Sequence, residues 1–234
     1  MPLHPVAEYL DLDQTQARGL FSGIGEVWEA LPLIEPWLKA SLRPGVDARF
    51  LGTARETVWI GDDVRIGKGT VIYPGAVIQG PAWIGENCRI SPGLWIRENV
   101  IVGDGAILGN SCELKNCVIF NGAEIPHWNY VGDSLLGHKA HIGAGVILSN
   151  WRHDHGPIPV LDARMPGGRM ETGLAKFGAV IGDHADIGSN AVLNPGSLIG
   201  RHSVLYAGVT WRGCLSAEKI VKLRQDQVIT GRKH

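Results

Sequence analysis

An aliphatic side chain returns at every sixth position through the middle of the chain. The series is unbroken over ten positions, at Ile60, Ile66, Ile72, Ile78, Ile84, Ile90, Ile96, Val102, Leu108 and Leu114. A small or β-branched residue stands four positions after nearly every one of these, and glycine often follows the aliphatic residue directly. An α-helix repeats every 3.6 residues and a strand every two, so a strict period of six predicts hexapeptide units of one short strand and a turn.

The same spacing returns after two interruptions. It lapses beyond Leu114, reappears at Leu136, Ile142 and Leu148, and resumes in a last block at Ile181, Ile187, Leu193, Ile199 and Leu205. Three hexads close one triangular coil of 18 residues, and stacked coils pair their backbones at about 4.8 Å around an aliphatic core. We therefore predict an all-β fold, a parallel β-helix over residues 56–215.

The two flanking segments lack the repeat. In residues 1–55 the apolar residues recur at helical spacing, which predicts a short helical N-terminal extension. We expect it to pack on the first coil or on an outward column of Trp59, Val77 and Trp95, because an open solenoid end needs a cap. Residues 216–234 are predicted to form a C-terminal helix, capped by Ser216, and a tail.

Charge and hydropathy exclude two classes of partner. The 22 Lys and Arg residues against 23 Asp and Glu give no field that would recruit nucleic acid or an anionic membrane surface. The sequence has neither a secretory leader pattern nor about 18 consecutive apolar residues, so we expect a soluble cytoplasmic protein. The four cysteines form no Cys-x-x-Cys pair and are predicted to be buried thiols.

Two segments break the repeat, at residues 121–130 and 151–177. In a regular rod, chemistry is expected at such irregularities and at outward polar residues that stack in register. The second segment is nearly thirty residues long, and a loop of that length in a compact rod is typical of a functional lid or a partner contact.

A column of long polar side chains follows from the 18-residue coil. Gln79, Arg97 and Lys115 are 18 positions apart, so they are predicted to stack at roughly 4.8 Å spacing. Two cations at this distance repel each other unless an anion lies between them. The pair therefore favours a phosphate-bearing ligand. The alternative is that solvent, Glu98 or Glu113 neutralises the pair.

One histidine lies just beyond this column, in the first broken segment. A neutral imidazole at His127 could remove a proton from an attacking amine or hydroxyl, as acyl transfer requires. A lone histidine beside aromatic residues is more often structural, and Trp128 and Tyr130 follow it closely. Both interpretations stay open on the residues alone.

Three segments carry a resemblance to a known family. PHWNYVGDSLLGHKAHIGAGVILSN at residues 126–150, ELKN around Lys115 and LAKFGAVIGD around Lys176 are similar to the acetyltransferase domain of bifunctional sugar-1-phosphate nucleotidylyltransferase/acetyltransferases. Their His-x-x-Tyr-x-Gly-Asp and Ile-Gly-Ala-Gly motifs are far more specific than the hexads. The resemblance runs over residues 58–211 and implies a left-handed β-helix, a homotrimer with sites between neighbouring prisms, and acetyl transfer from acetyl-CoA to an amino-sugar phosphate like glucosamine-1-phosphate.

The resemblance also implies roles for single residues. His127 matches the family's general base. The positions that contact the sugar phosphate match Arg97, Lys115, Tyr130, Asn150 and Lys176, and those that line the acetyl-CoA cleft match Ser189 and Ala207. No metal site is predicted.

The chain also departs from the family. Residues 1–55 are too short for a nucleotide-binding domain and hold no glycine-rich phosphate loop, so nucleotidyl transfer is not expected. His141 replaces an asparagine, and Trp128 replaces a smaller residue after the base. The second loop is longer and contains Arg152, His153, His155, Arg164 and Arg169. The acceptor is therefore predicted as an amino-sugar phosphate or a nucleotide-linked amino sugar.

Three other functions remain open. A non-catalytic trimeric scaffold or regulatory partner of a sugar nucleotidyltransferase would need neither the histidine nor the stacked cations. Acyl transfer from a carrier protein would need an apolar slot. A zinc enzyme like γ-class carbonic anhydrase would use three imidazoles; His184 and His202 could stack, but the other histidine spacings do not reproduce that ligand set.

Overall fold

The computed structural model describes residues 2–232 and shows a three-sided prism of stacked parallel strands. Each coil crosses three faces in turn, which we call the first, second and third face in chain order from Trp59. This arrangement confirms the predicted left-handed parallel β-helix of hexapeptide repeats. Every aliphatic residue of the first series from Ile66 to Leu114 is buried inside the prism.

The strands divide among the faces as follows. The first face contains β2 (Trp59–Ile60), β4 (Val77–Ile78), β7 (Trp95–Ile96), β14 (Ile147–Leu148), β19 (Val192–Leu193) and β22 (Thr210–Trp211). The second contains β5 (Ala82–Ile84), β8 (Val100–Val102), β17 (Ala179–Ile181), β20 (Ser197–Ile199) and β23 (Cys214–Leu215). The third contains β6 (Arg89–Ile90), β9 (Ile107–Asn110), β11 (Glu124–His127), β13 (His141–Ile142), β18 (Asp186–Ile187), β21 (Val204–Leu205) and β24 (Ile220–Val221).

Three longer strands turn a corner of the prism. β3 (Val64–Ile72) runs from the second face to the third, while β10 (Glu113–Ile119) and β12 (Tyr130–Leu136) run from the first to the second. The corner that β10 and β12 turn is where several candidate residues lie.

The first predicted break, at residues 121–130, is wrong. The segment forms β11 and the start of β12, and both pair in register with neighbouring coils. What changes is the length of the coil, because Glu113 lies beside Trp95, 18 positions back, whereas Cys117 lies beside Val100, 17 positions back. The coil is one residue shorter at Asn116, which adopts a left-handed conformation with φ 45°. The inward series therefore continues out of phase, at Ile119, Ile125 and Val131.

The second interruption is a true insertion. Leu136 pairs with Ile181, 45 positions later, which is one coil of 18 residues plus 27 inserted ones. The inserted segment, residues 151–177, contains an antiparallel hairpin of β15 (Pro159–Leu161) and β16 (Arg169–Glu171) joined through a 3-10 turn at Pro166–Gly168. The coils before and after the insertion pair directly with each other in register.

The N-terminal extension packs on the second face. It comprises α1 (Val6–Tyr9), α2 (Ile34–Ser41) and 3-10 helices at Leu12–Gln14, Arg18–Phe21 and Val27–Leu33. Its apolar residues cover an outward column of Ile101, Val118, Leu135, Val180 and Leu198. The first-face column does stack as predicted, but the extension does not cover it: Trp59 and Trp95 remain 55% and 39% exposed.

The boundary at residue 55 also differs from the prediction. Residues 45–50 form β1 (Gly45–Phe50), which pairs in parallel with β3 and adds a rung below the first coil. A single turn of helix, α3 (Ala54–Thr57), then leads into β2. The helical extension proper ends near Ser41, and Met1 lies outside the described residues.

The predicted C-terminal helix is wrong. Residues 216–232 contain β24 followed by chain without regular secondary structure, and no helix. The apolar residues there continue the hexad, because Leu215 and Val221 are six positions apart and pack against the core of the prism. Positions 233 and 234 lie outside the described residues. Over residues 2–232, no helix combines the length and apolar character that a bilayer crossing requires.

Candidate active site

Five of the predicted site residues line one cavity. Arg97, Lys115, Tyr130, Asn150 and Lys176 surround it together with Trp151, and its volume is about 310 Å³. The cavity lies at the corner between the first and second faces, because Arg97 and Lys115 each follow the last inward residue of the first face. Asn150 and Lys176 stand at the two ends of the insertion, so the insertion begins and ends at this cavity.

Acidic residues from neighbouring coils neutralise the stacked cations. Arg97 Nη1 donates to Glu113 Oε1 at 2.9 Å, and this bond holds the pKa of Arg97 above its usual value. Lys115 Nζ lies 3.6 Å from Glu98 Oε1 and 3.9 Å from Asp133 Oδ2. The structure therefore realises the alternative of a neutralised pair, and the argument for phosphate from unscreened repulsion does not hold. Gln79 lines a different cavity, beside Trp59 and Asp62.

A hydrogen-bond network around the Asp133 carboxylate holds Asn150 and Tyr130 in place. Asn150 Nδ2 donates to Tyr130 Oη at 3.1 Å and to Asp133 Oδ2 at 2.5 Å, and Asn116 Nδ2 donates to Asp133 Oδ1 at 2.9 Å. Burial raises the pKa of Tyr130, so its phenol stays protonated. Because Tyr130 Oη accepts from Asn150, its own proton is free for a ligand.

Asp133 and Asn116 were missed in the sequence. Asp133 is buried at the centre of this hydrogen-bond network and is the aspartate of the His-x-x-Tyr-x-Gly-Asp motif, which could have identified it. Asn116 gave no signal, because its place beside Asp133 depends on the shortened coil.

His127 lies at the opposite edge of the first face from the cavity. It ends β11 and is exposed, with Nδ1 2.5 Å from Asn110 Oδ1 of the preceding coil. Gly132, which stands beside Lys115, is five positions further along the chain, so the two edges are at most about 18 Å apart. One chain thus holds His127 and the five cavity residues at opposite edges of the first face without bringing them into contact.

Both predicted cofactor residues share the corner of His127. Backbone hydrogen bonds join this corner coil by coil, from Gly145 N to His127 O at 2.9 Å, from Asn190 N to Ala144 O at 2.8 Å and from Gly208 N to Ser189 O at 2.9 Å. Ala207 directly precedes Gly208, so Ser189 and Ala207 stand above His127 along the rod. His141 points outward from the third face, with Nδ1 2.8 Å from Asp186 Oδ1.

Within residues 2–232, one group of side chains has metal-ligand chemistry in close range. It comprises His4, Asp162 and Cys214. Arg164 and Tyr9 also contact the histidine ring: Arg164 Nη2 lies 3.3 Å and Tyr9 Oη 2.8 Å from His4 Nδ1. A guanidinium can only donate, so Nδ1 accepts and Nε2–H donates to Asp162 Oδ2, 3.0 Å away. Both ring nitrogens of His4 therefore have hydrogen-bond partners among the protein side chains. Burial raises the pKa of Cys214 to about 12, which keeps its thiol protonated.

The histidines considered for zinc form a surface stack. The rings of His184 and His202 are parallel, with centroids 4.9 Å apart, and His138 meets His184 edge-on at 5.3 Å. No third histidine, cysteine or carboxylate of the described chain converges with that parallel pair on a common point.

Comparison with known proteins gives two family matches. The "GMPPB C-terminal domain" matches residues 78–162, and the "Hexapeptide repeat of succinyl-transferase" matches residues 57–98 and 178–210. The first match covers coils of the β-helix and the start of the insertion, and it contains the cavity residues from Arg97 to Trp151.

Three curated proteins illustrate the relationship. An "Uncharacterized acetyltransferase YaiX" of Escherichia coli is 36% identical over 87% of this chain and 90% of its own length. A "Bifunctional protein GlmU" of Methanococcus maripaludis is 31% identical over 95% of this chain, which spans 52% of that protein. A "Bifunctional sugar-1-phosphate nucleotidylyltransferase/acetyltransferase" of Sulfurisphaera tokodaii is 38% identical over 41% of this chain and 23% of its own length.

Proposed function

This chain belongs to the hexapeptide-repeat acetyltransferases, and on that premise we propose that it is an acetyl-CoA-dependent N-acetyltransferase. Its acceptor is an amino-sugar phosphate like glucosamine-1-phosphate or a nucleotide-linked amino sugar, with His127 as general base. The observation that carries this proposal is the shared cavity of Arg97, Lys115, Tyr130, Asn150 and Lys176. These five positions are spread over 80 residues of sequence, and they line a single cavity.

The proposed reaction is a direct acyl transfer. His127 takes a proton from the acceptor nitrogen as that nitrogen attacks the thioester carbonyl. The new C–N bond forms, the C–S bond breaks, and the proton returns from His127 to the thiolate, which leaves as CoA. Asn110 Oδ1 accepts from Nδ1–H of His127, and this leaves the lone pair of Nε2 available for the proton transfer.

Binding of the acceptor follows from the cavity. Its phosphate would lie at Lys176, Arg97 and Lys115, exchanging with the carboxylates of Glu98 and Glu113. Tyr130 and Asn150 would hold the sugar hydroxyls, which directs the amine along the first face toward His127. Acetyl-CoA would lie along the corner of Ser189 and Ala207.

A homotrimer completes the proposal. The first face lies between the two groups of site residues and remains open in the single chain, with Trp59, Trp95 and Ile147 exposed. Packing of a second prism against this face would bury these side chains and enclose the reacting groups between two chains.

Thiol release from acetyl-CoA tests the function. The purified chain would be assayed with glucosamine-1-phosphate, galactosamine-1-phosphate, other amino-sugar phosphates and nucleotide-linked amino sugars. We expect turnover with one acceptor and at least a hundredfold lower kcat in His127→Ala, with an unchanged melting temperature. His202→Ala, which removes an exposed histidine from the stacked pair, is the control. Acetyl-CoA binding without turnover on any acceptor would favour the non-catalytic scaffold instead.

A further inference from the structure

A second cavity adjoins the first. It has a volume of about 380 Å³ and shares Trp151 as a common wall. Its other lining residues are Ser149, Arg152, His153, Asp154, Asn194, Pro195 and Arg212. None of these was among the predicted site residues, and the two cavities together form a trough along one corner of the prism.

The floor of the second cavity continues the column that carries Arg97 and Lys115. Ser149, Asn194 and Arg212 each follow the last inward residue of the first face, as those cations do two to five coils below. Asn194 Nδ2 donates to Trp211 O at 3.1 Å, which leaves Asn194 Oδ1 free to accept. Gly132, Ser149 and Asn194 thus separate Arg97 and Lys115 from Arg212 along one line.

The wall of this cavity is held in place by the insertion itself. Arg152 Nε donates to Asp154 Oδ1 at 2.8 Å, and Arg152 Nη1 donates to Pro157 O at 2.7 Å. These bonds occupy the guanidinium of Arg152 and fix residues 151–157 as a turn. A wall that is already ordered loses little further entropy when a ligand binds.

The trough carries an excess of positive charge. Arg97, Lys115 and Arg152 each have a carboxylate partner, whereas Lys176 and Arg212 take part in none of the ion pairs of residues 2–232. Trp151 lies between these two cations, 41% exposed, with Lys176 Nζ 5.5 Å from its ring centroid. Two cations without an ion-pair partner on either side of an aromatic surface suit a ligand with more than one anionic group and a planar apolar part.

We propose that the second cavity binds the nucleoside phosphate part of a nucleotide-linked amino sugar, which selects that acceptor over a free amino-sugar phosphate. This inference rests on the proposed acetyl transfer and narrows its substrate class. The sugar and the nearer phosphate occupy the first cavity, the second phosphate pairs with Arg212, and the nucleobase packs against Trp151. Ser149, His153 and Asn194 offer hydrogen bonds to its polar edge. A sugar monophosphate would leave Arg212 and this cavity unused.

Equilibrium binding to the full chain tests the nucleoside site directly. The probes are nucleoside diphosphates (UDP, dTDP, GDP and CDP) and glucosamine-1-phosphate, titrated calorimetrically. We expect one nucleoside diphosphate to bind and Arg212→Ala to weaken its binding at least tenfold, while binding of glucosamine-1-phosphate is unchanged. Arg224→Ala, which removes an exposed arginine from the C-terminal tail, should change neither. If no nucleoside diphosphate binds, or if Arg212→Ala and wild type bind it equally, the inference is wrong.

The acetylation assay separates this inference from the function on which it rests. Turnover of a nucleotide-linked amino sugar, with KM raised by Arg212→Ala and kcat preserved, supports both. Turnover of free amino-sugar phosphate alone supports the function and overturns the second site. Nucleoside diphosphate binding that depends on Arg212, without acetyl transfer to any acceptor, supports the site and overturns the function. Loss of acetyl-CoA binding in Arg212→Ala would assign the cavity to the cofactor and also overturn the inference.

Discussion

At the scale of single residues, the position after each inward aliphatic residue decides what a corner of the prism can do. Lys115 at that position carries a charge to the cavity, whereas Gly109 at the same kind of position allows the next coil to approach closely. The sequence predicted which side chains stand there because the spacing is regular. It offered Glu98 as one alternative partner of the stacked cations, which Lys115 does contact. It did not predict the contact of Lys115 with Asp133, because that contact joins different coils and depends on the one-residue shortening near Asn116.

The contact between Asn110 and His127 gives a prediction at this scale. Asn110→Ala removes the acceptor for Nδ1–H and should lower kcat/KM about tenfold, because the ring then also samples the tautomer that lacks a free Nε2 lone pair. Asn110→Asp should restore activity and move the acidic limb of the pH profile upward, since a carboxylate stabilises the imidazolium. The ¹⁵N shifts of the His127 ring report the tautomer independently of turnover. An unchanged ¹⁵N spectrum in Asn110→Ala would show that Asn110 does not orient the ring.

The stacking of coils gives a second prediction. A Cβ added at Gly109 would lie 1.3 Å from Pro126 O, a backbone atom that cannot move without separating two coils. We expect Gly109→Ala to lower the free energy of unfolding by about 3 kcal/mol, measured by urea denaturation. Gly45→Ala is the control, because no atom lies within 4 Å of its added Cβ, and it should change stability by less than about 0.5 kcal/mol. Equal stability of the two variants would mean that the backbone at this corner can shift to accommodate the added Cβ at little cost.

At the scale of elements, the N-terminal extension and the insertion are tied to each other and to the last coils. His4 is fully buried and bonds Tyr9 on one side and Asp162 of the insertion on the other. The helical pattern of the extension was readable from sequence, but its position was not: the Trp59 column and the Ile101 column are equally apolar, and only the fold shows which one the extension covers.

This tie predicts a pH dependence of stability. Burial, followed by the neighbouring Arg164, lowers the pKa of His4 below its ordinary value of 6.5. The unfolded chain therefore binds a proton near pH 6.5 more readily than the folded chain does, so this contribution to stability is present above pH 6.5 and is lost as the pH falls below it. We expect the free energy of unfolding to fall between pH 8 and pH 5, and to fall less steeply in His4→Gln.

Urea denaturation at a series of pH values measures this slope. His153→Gln, which removes an exposed histidine outside the network, should keep the wild-type slope. If His4→Gln also keeps it, another group accounts for the loss of stability.

At the scale of the whole molecule, the period of six determined the rod, its three faces and the length of the insertion. The same period was missed at Leu215 and Val221, because Ile220, Leu223 and Gln227 are spaced three and four positions apart and so fit one side of a helix. Predictions from the repeat were therefore sound where many coils kept one spacing, and they failed at the shortened coil near Asn116 and at the last coil.

The open first face predicts self-association. A monomer of 25.2 kDa with Trp59, Trp95 and Ile147 exposed along one flat face should sediment as an assembly of three chains. Replacing Trp59 and Ile147 by glutamate should shift the sedimentation coefficient toward the monomer and abolish acetyl transfer together with assembly. Arg89→Glu, which changes a residue that faces outward on the third face, is the control and should leave the mass of the assembly unchanged. If the wild-type protein is a monomer, the trimer proposal is wrong, and the residues of one chain alone must form the site.

The insertion leaves the prism in register, with Leu136 beside Ile181 and Leu148 beside Leu193. A segment that departs from a corner and returns to the same rung can lengthen, shorten or change in composition while the coils above and below keep their contacts. In evolutionary terms, this separates two kinds of change: His127 and its corner belong to the coils, whereas Trp151, His153 and Lys176 belong to the insertion. Descendants of one ancestral rod can therefore change this segment while the corner of His127, the proposed site of acyl transfer, is inherited intact.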